Sequence, residues 1–137
     1  MSVEQGPPPL PGTWVTGIVT RTGEWTVGDV WVDRENRRYA LLVGERHCNA
    51  TGTMHGGAMA TFLDGQAFVY QDPDGDDLHT PTVTLSVDYL SRAVPGDWLV
   101  ADVALIKKTK TLLFTEAKAF VGTRIIARSS AIYRNYE

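Results

Sequence analysis

The sequence predicts an α+β domain, an antiparallel sheet wrapped around one long central helix, and three observations carry the prediction. Residues 55–71 hold Ala58, Met59, Ala60, Phe62, Leu63, Ala67, Phe68, Val69 and Tyr70, an apolar run on helical spacing that leaves almost no polar face for water. After residue 80 the pattern changes to alternation, in four strand-like runs at 81–90, 98–106, 111–121 and 125–133. These runs are separated by turn chemistry: Val94-Pro95-Gly96-Asp97, Lys107-Lys108-Thr109-Lys110 and Gly122-Thr123. Helix and strands are therefore segregated along the chain, as in α+β domains.

Taken in order, residues 1–26 make an N-terminal arm and lead-in segment, loose at its start where Pro7, Pro8, Pro9 and Pro11 crowd together. A single domain occupies residues 27–137. Its first two strands, at 27–33 and 38–43, flank Glu35-Asn36-Arg37 and form a hairpin. The helix follows and stops at Asp72-Pro73-Asp74-Gly75, where proline and glycine end it. The four later runs then make a meander. Such a sheet has exposed edges, and Tyr89, Trp98, Phe114 and Phe120 offer more apolar surface than one helix covers. A homodimer is the expected minimum, with a tetramer built as a dimer of dimers.

The bulk numbers narrow the function classes. A chain of 137 residues with 43% hydrophobic and 21% charged residues has the balance of one globular domain. A net charge of -3 argues against nucleic acid as the main partner, since phosphate binding shows as a basic domain or stripe. No leader pattern opens the sequence, and no apolar run has the length to cross a bilayer, so no membrane contact is expected. The single Cys48 has no internal disulfide partner, which makes the cytoplasm the default compartment. His47, Cys48 and His79 lack zinc-ligand spacing, and Asp72, Asp74 and Asp76 begin a calcium-loop pattern that Asp77 and Val83 break, so no metal is expected.

One residue interrupts the apolar helix. An ionised carboxylate in an apolar interior costs several kcal/mol or more unless paired, protonated or put to use, and Asp64 therefore asks for an explanation. At the start of the same helix stand His55, Gly56 and Gly57. The first amides of a helix lack intrahelical partners and lie at its positive end, and glycines let a carbonyl approach them closely.

Residues 49–64, Asn-Ala-Thr-Gly-Thr-Met-His-Gly-Gly-Ala-Met-Ala-Thr-Phe-Leu-Asp, resemble the signature of hotdog-fold acyl-CoA thioesterases, above all the phenylacetate-pathway (PaaI-like) group. There Asn, Gly, His-Gly-Gly and an Asp nine residues after the His recur. The likeness continues through Leu85-Ser-Val-Asp-Tyr-Leu-Ser-Arg-Ala, Pro95-Gly-Asp and residues 107–114, with Thr109 standing where the family usually carries glycine. The resemblance implies hydrolysis of an acyl-CoA, with Asp64 as nucleophile or general base and the Gly56 amide polarising the thioester carbonyl. Asn49 and His55 would shape that side of the site, and Thr82 would help hold the attacking water. No cofactor is implied, CoA being part of the substrate.

Spacing adds a constraint of its own. Gly56 and Asp64 are eight residues apart, roughly 12 Å along an α-helix, so one helix cannot bring both to one carbonyl. If both act, the amide comes from one subunit and the carboxylate, with Thr82, from the other. Residues 91–137 carry eight Lys or Arg against four acids, and Arg92, Lys108 and Lys110 are candidates for the CoA phosphates. Gly57 and Phe68 are further candidates for substrate contact. Two alternatives stay open: a hydratase or dehydratase acting on an acyl thioester, and a non-catalytic acyl-CoA binding module.

Overall fold

A computed structural model describes residues 6–17, 19–20, 23–70 and 80–135. The expected helix stop at 72–75 lies outside them. In chain order the elements are β1 (Val19–Thr20), β2 (Gly23–Glu24), β3 (Trp31–Asp33), β4 (Arg38–Leu42), α1 (Gly56–Leu63), β5 (Thr82–Tyr89), β6 (Trp98–Lys108), β7 (Leu112–Val121) and β8 (Arg124–Arg134), with short 3-10 turns at Glu45–His47 and Gln66–Tyr70. β1 and β2 pair with each other, and the other six strands form one antiparallel sheet in the order β3-β4-β6-β7-β8-β5.

The expected antiparallel sheet around a helix is present, with three differences of detail. The helix is not one long rod. α1 ends at Leu63, Asp64 is its C-cap, and the chain resumes as a 3-10 turn at Gln66. Gly65 stands at the break, and a Cβ there would fall 2.8 Å from Trp25 and 3.0 Å from Phe68, so the turn packs against these rings where a side chain has no room. The meander is three strands, β6 to β8, because β5 pairs with β8 and lies at the sheet edge. The strand expected at 27–33 is ordered into the ladder only from Trp31, where it pairs with Ala40.

The sheet's inner face explains how α1 seats. Ala101, Ala117, Ala119 and Ala127 are buried, and such small residues let the helix approach the strands closely. Met59, Phe62 and Leu63 fill the space above them, with the Phe62 ring 4.7 Å from that of Tyr39. Across the sheet, Asp33, Arg38, Asp102, Lys118, Arg128 and Asp88 are successive cross-strand partners, so they share one face and form a row of charges over all six strands. Salt bridges close both ends of the row, Arg38 to Asp33 at 3.0 Å and Arg128 to Asp88 at 2.8 Å. Residues of the lead-in are tied to the sheet: Val15 and Val32 exchange backbone hydrogen bonds, and the Arg38 guanidinium donates to the Pro11 carbonyl and stacks over Trp14.

Candidate active site

The loop before α1 is held from both sides. His47 is buried, its Nδ1 accepting from the Gly44 amide at 2.9 Å while Nε2–H donates to the Val27 carbonyl at 2.8 Å, a pattern that fixes the neutral tautomer. The His47 carbonyl in turn accepts from the His55 amide at 2.8 Å, and Met54 donates to Ala93 at 2.9 Å. Asn49 organises the loop itself: its Oδ1 accepts from the Thr51 amide, the Thr51 hydroxyl and the Thr53 amide at 3.0, 2.7 and 3.2 Å.

His55 is the N-cap of α1 and makes no side-chain cap, so the first amides of the helix keep their outward hydrogens. His55, Gly56 and Gly57 are exposed. The space a Cβ would take at Gly57 is empty to 4 Å, and at Gly56 it faces the Tyr89 ring at 3.4–3.6 Å. The Tyr89 hydroxyl donates to the Gly56 carbonyl at 2.6 Å, fixing the first turn against the end of β5.

At the other end of α1 the Thr82 hydroxyl donates to the Asp64 carboxylate, 2.8 Å from one oxygen and 3.0 Å from the other. Burial pushes the Asp64 carboxyl above the usual aspartate range, and hydrogen bonding from Thr82 and Tyr133 pulls it only part of the way back. A carboxylate that holds a proton more tightly than usual, yet keeps an open side, is suited to taking one from water. Asp64 is half-buried rather than sealed inside a helix, because Gly56, Gly57, Ala60, Thr61 and Asp64 leave one stripe of α1 open in the single chain.

The chain brings Thr82 to Asp64 and Tyr89 to Gly56, and keeps these two pairs at opposite ends of α1. Lys108 pairs with Leu113, which pairs with Tyr133, which pairs with Thr82, so Lys108 and the adjoining Lys110 lie toward the Asp64 end. Arg92 lies at the far end, where its carbonyl accepts from Arg124 at 2.9 Å. Phe68 is partly buried and packs against the core, edge-on to Trp25 with centroids 4.9 Å apart. Thr109 replaces glycine without a left-handed backbone: its hydroxyl accepts from the Leu112 amide at 2.9 Å and closes the turn with a side chain. The sequence marks Tyr89 only as apolar surface for a partner chain and gives Tyr133 no role at the site, since tyrosines in strands read as packing residues.

Residues 51–127 match the family model of the thioesterase superfamily. PA0474 of Pseudomonas aeruginosa, which carries an esterase name, is 32% identical over 99 residues, covering 69% of this chain and 71% of that one. Human acyl-coenzyme A thioesterase 13 is 34% identical over 75 residues, 55% of this chain and 54% of the relative, so the match spans about half of that protein. Among solved structures, thioesterase superfamily member 2 of Mus musculus superposes with a TM-score of 0.59 at 27% identity, over 71% of this chain and 72% of that one. A Ralstonia eutropha protein described as phenylacetic acid degradation-related shares the fold, with a TM-score of 0.66 at 17% identity over 89% and 84% of the two chains.

Proposed function

Because the chain belongs to the thioesterase superfamily, with the hotdog architecture of its structural neighbours, we propose that it hydrolyses acyl-CoA thioesters to the free acid and CoA, at sites shared between two protomers. The observation that carries this reading is the placement of Asp64, whose hold on a proton burial strengthens, and an open helix start at opposite ends of one α1, beside a sheet edge with no partner strand among the described residues.

β5 is that edge, and Val83, Tyr89 and Leu90 along it are 50, 55 and 51% exposed. Unpaired, such a strand is a template for another chain. Antiparallel pairing of two β5 strands about a two-fold axis lays the Thr82 end of one against the Tyr89 end of the other. Asp64, Thr82, Lys108 and Lys110 of one protomer then meet the partner's Gly56, Gly57, His55 and Arg92. Two equivalent sites result.

In each, the thioester carbonyl points its oxygen at the partner's helix start, and Asp64 removes a proton from water as the oxygen of that water attacks the carbonyl carbon. The negative charge that forms on the carbonyl oxygen is met by preorganised amides at a positive helix end, an effect typically worth about 10²–10³ in rate for one such donor. Collapse of the adduct breaks the carbon–sulfur bond, and the proton held by Asp64 passes to the departing thiolate. Direct attack by Asp64 through a mixed anhydride uses the same geometry. Lys108, Lys110 and Arg92 surround the site's rim with charge of the sign that CoA phosphates require.

The test is thiol release from a panel of aryl and medium-chain acyl-CoAs, with Asp64→Asn as the control. The proposal expects release by the native chain and its loss, with binding retained, in the variant. A hydratase would consume acyl-CoA without releasing thiol, and a binding module would do neither.

A further inference from the structure

The last carbonyls of α1 have an arrangement that the proposed chemistry does not by itself require. Helix ends leave these oxygens without intrahelical partners, and their dipoles turn negative charge toward whatever follows. Here a carboxylate follows. Three consecutive carbonyls are each capped by a different buried side chain: Phe62 by the Tyr39 hydroxyl at 2.6 Å, Leu63 by Gln66 Nε2 at 3.0 Å and Asp64 by the Tyr133 hydroxyl at 2.8 Å. Tyr39, Gln66 and Tyr133 are 0, 0 and 1% exposed.

Gln66 is itself pinned, its Nε2 also donating to the Ser129 hydroxyl at 3.0 Å and its Oε1 accepting from the Thr115 hydroxyl at 2.7 Å. The three donors therefore come from β4, β8 and the 3-10 turn, with Thr115 of β7 anchoring Gln66, all fixed in the core. We infer that Tyr133, backed by Gln66, is a positioning residue for Asp64, a dry cap that holds the carboxylate's own peptide so that its side chain meets Thr82 and faces the partner, while Tyr39 only closes the helix end two residues earlier. The inference rests on the proposed role of Asp64, but its structural half can be measured without turnover.

Four consequences of the geometry support it. Water could cap the same carbonyls, but a hydrated turn would let the Asp64 Cβ direction wander. The buried Tyr133 and Gln66 side chains leave it one orientation. Each donated hydrogen bond also offsets part of the negative field that the helix end directs at the carboxylate. Burial keeps the Tyr133 and Tyr39 hydroxyls protonated across the working pH range, so the caps do not switch off. And Tyr133 belongs to the residue pair Thr82↔Tyr133, so the strand that presents Thr82 to the carboxylate is in register with the one that caps its backbone.

The test compares Tyr133→Phe with Tyr39→Phe in the full chain. Both delete one buried hydroxyl and keep the ring, but the second acts two residues before Asp64. Carbon-13 NMR titration of the Asp64 carboxyl and the kcat and KM of thiol release are measured on each. Tyr133→Phe is expected to move the Asp64 midpoint upward and to lower kcat roughly 10- to 100-fold with KM unchanged, the scale of a small misplacement of a reacting group. Tyr39→Phe is expected to lower Tm as much while leaving the midpoint near its native value. Should Tyr133→Phe not fold, Gln66→Met removes the adjacent cap and is expected to move the midpoint and kcat in the same directions.

A folded Tyr133→Phe with native midpoint and kcat overturns the inference, as does an equal midpoint shift in Tyr39→Phe. If Asp64→Asn stays fully active the catalytic reading fails instead, and the titration alone still decides whether Tyr133 positions the carboxylate.

Discussion

The Tyr89 hydroxyl sits 2.6 Å from the Gly56 carbonyl, and its ring covers the space where Gly56 would carry a side chain. Thr82, at the other end of the same strand, holds Asp64. One edge strand thus clamps both ends of the helix, so pairing β5 with a partner orders both halves of the site in a single step. Tyr89→Phe is expected to lower kcat/KM by about 5- to 10-fold, the equivalent of a typical net hydrogen bond of about 1 kcal/mol. Steady-state kinetics on the purified variant check it, and an unchanged kcat/KM would remove Tyr89 from the site.

Gly57 allows function and stability to be separated. A Cβ there meets nothing within 4 Å, and alanine is a better helix former than glycine by about 1 kcal/mol. Gly57→Ala should therefore raise Tm by a few degrees. It should also lower activity at least tenfold, because the methyl group occupies the approach to the helix amides. Thermal melting and thiol release on the same sample decide the point; a stabilised variant with native activity would show that no carbonyl comes near Gly57.

For Asp64 the sign of the pH effect follows from its raised folded-state pKa. The folded protein binds the proton more tightly than the unfolded chain does. The stabilisation this brings is fully present below the unfolded value, about 3.9, and is lost as pH rises through the folded one. At neutral pH the ionised group is a cost, so Asp64→Asn should be as stable as the native chain or more so, with its relative advantage growing from pH 4 to pH 7. Denaturant melts across that range measure it. The same elevation places the acid limb of the rate profile above an ordinary aspartate's. An advantage that shrinks with rising pH would contradict the account.

Much of this was legible in the chain before its structure. The β6, β7 and β8 boundaries fall within two residues of those expected, because alternation and turn residues are local signals. The end of α1 was not legible in that way: apolar residues continue through 67–70, and the rings of Trp25 and Phe68, forty and three residues away, that crowd the turn at Gly65 are set by the tertiary fold. The edge position of β5 depends on pairing with a strand some forty residues later. Asp64, Gly56 and Thr82 stood out through their motif and their chemistry. Tyr133 and Gln66 did not, since a tyrosine on a strand and a glutamine near a helix end look unremarkable until two carbonyls are seen to need them.

The shared site is tested most directly by mixing two inactive chains. Gly56→Pro removes one amide hydrogen and sets its ring against Tyr89 at ordinary contact distance; proline suits the first helical position, and His55, at φ -56 and ψ 139, already has the extended conformation required before it. Asp64→Asn removes the carboxylate. Each homodimer should be inactive, and the mixed dimer should recover one intact site of its two, approaching half of native activity per dimer. A confirmed heterodimer that releases no thiol would contradict a site built from one protomer's helix start and the other's Asp64.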